Sequence, residues 1–408
     1  MCRDRRNRSL VIEITPPARP PLTVGVHRTI REIAREHWDA CFADDPEAWA
    51  YYAAVEDAGL AAFSWMYFAA SEGDRVLAVV PAFVTAYALD TTIQGRLRSA
   101  LAPLLAHARR LLTLQLVCLG SPLADKCHLG FSPQLPRERR GEVTASLLAT
   151  LDSVAAARAI GLVAAKDVDD ADLAEGVGEA FAAAGFSRQP GLPDTVLNLR
   201  VGGEESYLES LSRATRRDLR RKLKAGDGVR IEQRFGAEAI GLVPAITRLY
   251  DLQRSRSSVD FDQFETLTAE YFRNVLAAGD LSAVVFLYWH RDQLAAFNLC
   301  YHTDRVFIDK FIGFDPALGR VLNLYALSWM TNVRYCFARG IGLLKAGQTG
   351  YAMKRRMGCE LLPHWICFRH RNPLLNRVLR LAGPLLAADR HDPDLAQRLE
   401  KSHPKRNR

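Results

Sequence analysis

The stretch from residue 294 to residue 369 constrains the fold of this chain more than any other. It begins with two apolar strands, LAAFNLCYH and VFIDKFIGF, and continues through the loop DPALGR into a long helical run. Pro316 fixes φ, Gly319 loosens the backbone before the helix, and Gly340 stands where a glycine commonly ends one. A strand, IGLLKA, then the segment GQTGYAMKRRMG and a last strand, LLPHWICFRH, complete the stretch. Its order predicts a hairpin followed by a strand–helix–strand crossover.

This arrangement resembles the GNAT superfamily of N-acyltransferases. The hairpin, the glycine loop into a helix, the next strand and the segment GQTGYAMKRRMG with its closing strand carry the resemblance. The chain is most similar to the branch with two such domains, which includes the FemABX aminoacyl-tRNA-dependent ligases. The resemblance implies an α+β (mixed α/β) fold of two tandem GNAT-like domains, each a mixed β-sheet flanked by helices.

Internal repetition also favours two domains. Strand, polar turn and strand follow one another in SWMYFAASEGDRVLAVVPAFV and again in SAVVFLYWHRDQLAAFNLCYH. Each half closes with a helix end, a glycine and a strand. Hairpins are common, so coincidence is the alternative, but the agreement in order predicts a duplicated domain. The predicted bounds are 1–21 for a disordered lead, 22–203 and 204–370 for the two domains, and 371–408 for a C-terminal helix and basic tail.

Composition argues against several classes of protein. The chain has 408 residues, of which 49% are hydrophobic and 25% charged, and a net charge of +8. Its eight cysteines form no CxxC pair, which predicts reduced thiols and neither a disulfide framework nor a metal site. We find no signal peptide and no uncharged apolar run long enough for a transmembrane segment. These features predict a cytoplasmic protein.

A basic helix is predicted just after the boundary between the domains. In SYLESLSRATRRDLRRKLKAG, Ser206 and Glu209 have capping-box spacing, and the pattern predicts one helix over residues 206–225. At about 100° per residue, the basic side chains share a face opposite the leucines, and Arg217, Arg220 and Lys224 have no acidic residue at i±4 to neutralise them. That face is either solvated surface or a site for tRNA or another polyanion, as the FemABX resemblance implies. Its cations are Arg213, Arg217, Arg220 and Lys224.

The loop before the long helix is the predicted donor site. A strand, loop and helix start leave free backbone N–H groups at the mouth of the loop, which suits a phosphate. The predicted cofactor-binding residues are Gly319, Arg320 and Asn323. The usual GNAT pyrophosphate signature has two small residues where this loop has one glycine. This departure argues against acetyl-CoA and fits aminoacyl-tRNA or a long-chain acyl group on CoA or a carrier protein.

Amide formation needs an activated acyl group, an amine that can lose a proton, and a donor for the developing oxyanion. The sequence has no recognisable Ser-His-Asp or Cys-His motif, and the GNAT resemblance implies direct attack by the amine. The predicted catalytic residues are Asp309, Tyr351 and Gln348. Asp309 either accepts the proton of the amine or pairs with Lys310 or another cation. Tyr351 either donates a proton to the leaving group or is structural.

Two further cations complete the predicted site. Lys354 and Arg355 lie in GQTGYAMKRRMG, after a strand, where clefts form in such sheets. They would bind a phosphate or a carboxylate. The C-terminal segment NPLLNRVLRLAGPLL predicts an amphipathic helix that lies either against the domain or at a membrane surface.

These observations predict an N-acyltransferase that moves an acyl group from acyl-CoA or an acyl carrier to an amine by direct attack. The alternatives are a FemABX-like aminoacyl-tRNA-dependent peptide-bond ligase and a non-catalytic RNA- or polyanion-binding module on the same fold. No permanently bound cofactor is expected, with acyl-CoA or aminoacyl-tRNA as co-substrate. The expected partners are the acyl donor, the amine acceptor and a polyanion at helix 206–225.

Overall fold

The structure, a computed structural model, describes residues 19–88, 113–199, 202–256, 264, 266–386 and 395. Most of the predicted disordered lead and nearly all of the chain after residue 386 lie outside these residues. The predicted α+β class is confirmed, since two mixed sheets are flanked by helices.

The first half of the chain contributes eight of the described strands. They are β1 (Leu22–His27), β2 (Ser64–Glu72), β3 (Arg75–Ala88), β4 (Thr113–Leu119), β5 (Gly130–Phe131), β6 (Leu162–Asp169), β7 (Ser187–Pro190) and β8 (Asp194–Asn198). The second half contributes seven. They are β9 (Arg230–Phe235), β10 (Ala283–His290), β11 (Gln293–His302), β12 (Val306–Phe314), β13 (Leu343–Lys345), β14 (Glu360–Leu362) and β15 (His364–His370).

Twelve α-helices occur in the described part of the chain. Five precede residue 211: α1 (Arg35–Cys41), α2 (Trp49–Asp57), α3 (Arg140–Ala157), α4 (Val177–Ala183) and α5 (Gly203–Ser210). Seven follow: α6 (Arg213–Ala225), α7 (Val243–Arg254), α8 (Ala269–Ala277), α9 (Pro316–Val321), α10 (Leu324–Arg339), α11 (Tyr351–Arg356) and α12 (Pro373–Leu386).

Each sheet contains one parallel pair among antiparallel neighbours. The first sheet has the order β1-β2-β3-β4-β6-β15-β7, with β5 on β3, and its parallel pair is β4–β6. The second has the order β14-β8-β13-β12-β11-β10-β9, and its parallel pair is β12–β13. The two predicted hairpins, β2–β3 and β10–β11, are confirmed. Gly340 ends α10 at φ 70°, which is a conformation that glycine adopts without strain.

The two sheets exchange one strand each. Strand β8, from the first half, pairs with β13 and β14, so that Leu197 lies opposite Leu344 in the second sheet. Strand β15, from the end of the second half, inserts between β6 and β7 of the first sheet, with Phe368 opposite Ala164. The sheets therefore do not divide at the predicted boundary between residues 203 and 204. No local pattern in the sequence predicts this exchange.

The predicted single helix over 206–225 is wrong in one respect, because the chain breaks between α5 and α6. Leu211 is extended, with φ −79° and ψ 155°. Ser212 then caps α6, and its hydroxyl oxygen accepts a hydrogen bond from the Thr215 N–H at 3.1 Å. Ser206, which we expected to cap the helix, lies inside α5.

One hydrophobic cluster extends across both halves of the chain. It joins side chains of α1 and α2 to side chains of α7, α8, β10 and β11. Aromatic rings meet at this contact: the centroids of Tyr51 and Tyr301 are 5.7 Å apart, and those of Phe63 and Phe264 are 5.4 Å apart. Such burial holds the two sheets in a fixed relation around the space between them.

Candidate functional site

A pocket of about 720 Å³ lies between the two sheets and is lined by residues from both. Its position follows from the two parallel pairs. The β12–β13 pairing ends at Ile308 opposite Lys345, and the β4–β6 pairing ends at Leu119 opposite Ala165. Beyond these points the strands of each pair separate, and the residues that follow line the pocket. Ligands commonly bind beyond the carboxyl ends of such strands.

A β-bulge lies at the separation point of the second sheet. Cys300 pairs with Asp309 and Leu299 pairs with Phe311, so Lys310 is an extra residue in β12. A bulge changes the direction in which neighbouring side chains point. Asp309, Lys310 and Phe311 all line the pocket.

Asp309 has a defined set of partners. Its carboxylate accepts a hydrogen bond from Asn298 Nδ2 at 2.6 Å, and Asn298 Oδ1 in turn accepts one from the Ser328 hydroxyl at 3.1 Å. Burial raises the pKa of Asp309 above its ordinary value, although Asn298 and the Lys354 ammonium oppose the shift. A carboxylate with a raised pKa is a better base near neutral pH. The alternative that Asp309 pairs with Lys310 is not what the geometry shows.

Lys354 is buried at the wall of the same pocket. Its ammonium donates to three successive carbonyl oxygens, those of Ala346 (2.5 Å), Gly347 (3.1 Å) and Gln348 (3.3 Å). Burial lowers the pKa of Lys354, while nearby carboxylates, Asp309 first, act in the opposite direction. Lys354 therefore fixes the loop that follows β13 and places a positive charge near Asp309.

Gln348 links the two halves at the pocket. Its side-chain nitrogen donates to Asp167 Oδ1 and to the Leu192 carbonyl, both at 3.2 Å. Burial opposes ionisation of Asp167, but the adjacent Lys166 ammonium holds its pKa below the usual value. Lys166 also donates to the Ser121 carbonyl at 3.0 Å, across the separated strands of the first sheet. Lys166 and Lys354 thus each fix a loop that follows one strand of a parallel pair.

Lys310 forms the second link between the halves. Its ammonium lies 2.6 Å from the Glu47 carboxylate and donates to the Leu123 carbonyl at 2.5 Å. The two charged side chains are only 2% and 4% exposed. This buried ion pair joins β12 to the segment that leads into α2.

The predicted donor loop has a different arrangement from the one we expected. The Asp315 carboxylate accepts hydrogen bonds from the N–H groups of Ala317 (2.9 Å) and Leu318 (3.2 Å) at the start of α9. These groups are not free for a phosphate, and a carboxylate there repels an anion. Asp315 before Pro316 is a sequence signal for such a cap, which the sequence analysis missed.

The three residues predicted to bind the cofactor do not line the pocket. Gly319 packs against the Phe314 ring, which a Cβ would approach to 2.5 Å. Arg320 is exposed. Asn323 adopts a left-handed conformation, with φ 50°, before α10 and makes no side-chain cap. The first turn of α10 contains Tyr325, which does line the pocket.

Two tyrosines differ in how they meet the pocket. Tyr351, predicted to act in catalysis, is fully buried and is not among the pocket-lining residues, and its hydroxyl donates to the Pro193 carbonyl at 3.1 Å. This placement favours the structural alternative for Tyr351. Tyr325 is half-buried in the pocket wall, and burial, with Asp309 nearby, raises the pKa of its phenol. Tyr325 was not among the predicted residues, because the sequence of the loop does not show which residue of α10 faces the pocket.

The remaining predicted residues lie away from the pocket. Arg355 is exposed on α11. Arg213 and Arg217 are exposed on α6 and have no ion-pair partner among the described residues. Arg220 does have one, since it pairs with Glu205 of α5 at 2.7 Å. The expectation of an unneutralised face is therefore wrong for Arg220.

The rest of the pocket wall is mainly apolar. Aromatic and aliphatic side chains from both sheets, from α7 and α12, and from Phe264 contribute to it. They include Phe83, Leu116, Leu162, Tyr250, Phe264, Phe311, Phe314, Ile366, Phe368 and Leu379. A polar end and an apolar wall suit a substrate that has a reacting polar group and an apolar body.

Two further observations concern the described residues as a whole. No group of three or more His, Cys, Asp or Glu side chains among them is arranged to hold a metal ion. No helix in the described ranges combines the length and apolar character needed to cross a membrane.

Comparison with known proteins finds one family model that matches the second half of the chain. The model of the acetyltransferase (GNAT) domain family matches residues 212–355, a range that contains every predicted site residue. No curated protein matches the sequence of this chain.

Three solved structures resemble the fold. FemX is 13% identical with a TM-score of 0.57, and the match covers 88% of this chain and 100% of FemX. A tandem GNAT protein from the clavulanic acid biosynthesis pathway is 12% identical, with a TM-score of 0.47 and coverages of 86% and 99%. L-PGS from Bacillus licheniformis is 10% identical, with a TM-score of 0.46 and coverages of 76% and 86%.

The family match and the architecture agree. The matched range begins at the cap of α6 and ends in α11, so it spans the bulge and the parallel pair that opens the pocket. Residues 212–355 therefore match the acetyltransferase (GNAT) domain family, and the chain has a fold similar to that of FemX.

Proposed function

We propose that this protein transfers an acyl group from an activated donor to an amine in the pocket between the two sheets. The observation that carries the proposal is the convergence of Asp309, Tyr325 and Lys354 on the wall where β12 separates from β13. At this place Asp309 can accept a proton, Tyr325 can donate one, and the Lys354 ammonium can stabilise the negative charge of Asp309. The rest of the wall is mainly apolar.

The proposed reaction is a direct attack. The amine nitrogen bonds to the acyl carbonyl carbon, and Asp309 accepts the proton that the amine loses. As the bond to the leaving group breaks, Tyr325 donates its phenolic proton to the departing atom. Burial keeps this phenol protonated, and the raised pKa of Asp309 suits it to accept a proton.

Lys354 acts mainly by position in this proposal. Its ammonium donates to three carbonyl oxygens of the loop after β13 and so fixes that loop at the pocket wall. Its charge also favours the ionised form of Asp309. We place the polar end of the donor near the first turn of α10, where Asn323 supplies no side-chain cap to the helix N–H groups.

Acyl-CoA or an acyl carrier is the proposed donor, with no permanently bound cofactor. The GNAT domain match and the apolar wall support it. The exposed cations Arg213 and Arg217 on α6 support aminoacyl-tRNA as the second candidate. We further propose a cytoplasmic location, because the seven described cysteines are free thiols, the state that a reducing compartment maintains.

The experiment measures CoA thiol release from acetyl-CoA and from palmitoyl-CoA with the amino acids as acceptors. Asp309→Asn keeps the size of the side chain but removes the base, and we expect kcat to fall by about 100-fold or more. In the wild type, the apparent pKa of the acidic limb of the pH–rate profile should lie above the ordinary carboxyl range. The residual activity of the variant should show no such limb.

Asp304→Asn is the matched control, because Asp304 is exposed in the turn between β11 and β12. It should leave both kcat and the melting temperature unchanged. Full activity of Asp309→Asn with either donor would show that Asp309 is not the base that accepts the proton of the amine. Transfer from aminoacyl-tRNA, with no turnover of either CoA ester, would select the second donor.

A further inference from the structure

Helix α12 presents an apolar stripe to solvent. Leu374, Val378 and Leu381 are 76%, 58% and 74% exposed. At about 100° per residue these three positions fall within roughly 60° of one another. Single exposed apolar residues are ordinary, but three at helical spacing on one face form a patch.

The opposite face of α12 is fixed to the protein. Leu379 and Gly383 line the pocket, and a Cβ at Gly383 would meet the Phe368 ring at 3.2 Å. The start of the helix is capped, because Asn372 Oδ1 accepts hydrogen bonds from the N–H groups of Leu374 (2.9 Å) and Leu375 (3.2 Å). The outward direction of the stripe is therefore set by packing.

The charges beside the stripe have one sign. Arg377 and Arg380 are exposed, and neither has an ion-pair partner among the described residues. The segment from Pro373 to Leu386 contains no acidic residue. An apolar stripe flanked by unpaired cations is the pattern of a helix that lies in the surface of an anionic membrane.

The area of the stripe argues against a second copy of the chain as its occupant. A helix of 14 residues is about 21 Å long, and a stripe about 10 Å wide covers roughly 200 Å². A stable protein interface buries about 800 Å² on each partner. A lipid surface requires no such minimum area, because the side chains enter it individually.

We propose that α12 binds the surface of anionic membranes, with Leu374, Val378 and Leu381 in the lipid and Arg377 and Arg380 at the headgroups. Since the inner face of the same helix lines the pocket, the binding places the apolar wall of the pocket next to the bilayer. The inference concerns binding and does not depend on the proposed reaction.

The test is co-sedimentation of the full chain with vesicles of phosphatidylcholine, alone or with about one third phosphatidylglycerol. We expect the wild type to bind the mixed vesicles more tightly than the neutral ones. Replacing both arginines with glutamine should remove most of that difference, at about fivefold for each arginine. The variant Leu374→Gln/Val378→Gln/Leu381→Gln should weaken binding to the mixed vesicles by more than about tenfold.

Val321→Gln is the matched control, since Val321 is 71% exposed on α9, outside α12. It should bind vesicles like the wild type. Circular dichroism melting checks that each variant is folded. Wild-type protein that does not sediment with mixed vesicles would overturn the proposal. Weakening of vesicle binding in Val321→Gln equal to that in the triple variant would also overturn it. So would a wild-type dimer that dissociates only in the triple variant.

Discussion

Replacing one partner of the Lys310–Glu47 ion pair should weaken the whole protein, because the pair is buried between its two halves. The ammonium and the carboxylate are 2.6 Å apart, and water reaches 2% and 4% of the two side chains. Glu47→Gln leaves the ammonium with the Leu123 carbonyl and the faces of Tyr51 and Phe311, at 5.8 and 5.7 Å. Leaving one buried charge uncompensated costs about 3–5 kcal/mol of the free energy of unfolding.

The double variant Glu47→Gln/Lys310→Met provides the quantitative test. Each single variant should lose about 3–5 kcal/mol, whereas the double variant should lose much less than their sum, since no buried charge remains. Asp280→Asn is the matched control, because the Arg35–Asp280 pair also joins the halves, at 2.5 Å, but is 44% and 68% exposed. That change should cost less than about 1 kcal/mol.

Urea denaturation followed by tryptophan fluorescence measures these free energies, since Trp38 and Trp329 report on different halves. Burial alone lowers the pKa of a lysine, but Glu47 and its neighbours hold the pKa of Lys310 above its ordinary value of 10.5. Because the folded pKa exceeds the unfolded one, the contribution is complete below about pH 10.5 and disappears only as pH rises through the folded pKa. The loss in Glu47→Gln should therefore be the same at pH 7 and pH 9. Additive single effects, or a loss equal to that of Asp280→Asn, would refute the reasoning.

Two further predictions concern the pocket and the basic helix. Tyr325→Phe should lower kcat by about 10- to 1,000-fold with little change in melting temperature, because Tyr325 lines the pocket. Tyr351→Phe should mainly lower the melting temperature, because the Tyr351 hydroxyl donates to the Pro193 carbonyl. The reverse pattern would return the catalytic role to Tyr351. If α6 binds tRNA, replacing Arg213, Arg217 and Lys224 with glutamine should reduce the slope of log K against log salt by about two to three units in filter-binding titrations. An unchanged slope would place the RNA contact elsewhere.

Local features of the fold could be predicted from the sequence, and those that depend on distant partners could not. The hairpins and α10 follow from apolar periodicity with turn and glycine signals within a few residues. The bulge at Lys310 depends on a two-against-one register with Leu299 and Cys300, which periodicity cannot reveal. The same holds for Glu47, which is 263 positions before Lys310 in the sequence.

The candidate site was predicted in part for the same reason. Asp309 was predicted because it lies on the strand before the predicted donor loop, and Gln348 and Lys354 were predicted because they follow a strand. The structure brings all three to one pocket. The contribution of the first half to that pocket was missed, since no local motif marks Asp167. At the predicted donor loop, the cap formed by Asp315 was overlooked, and it occupies the N–H groups that were predicted to hold a phosphate.

The exchange of β8 and β15 has a consequence for synthesis of the protein in the cell. A ribosome releases the chain from its N-terminus, and β15, at residues 364–370, emerges after every other described strand. Until then β6 and β7 lack the strand that lies between them. Strand β8 likewise has no pairing partner until β13 has emerged. The first sheet cannot finish folding before β15 has emerged, so nascent chains expose unpaired strand edges until then. Chaperone capture during translation, and rapid proteolysis of prematurely terminated products, should therefore be stronger for this protein than for chains whose domains close one after the other.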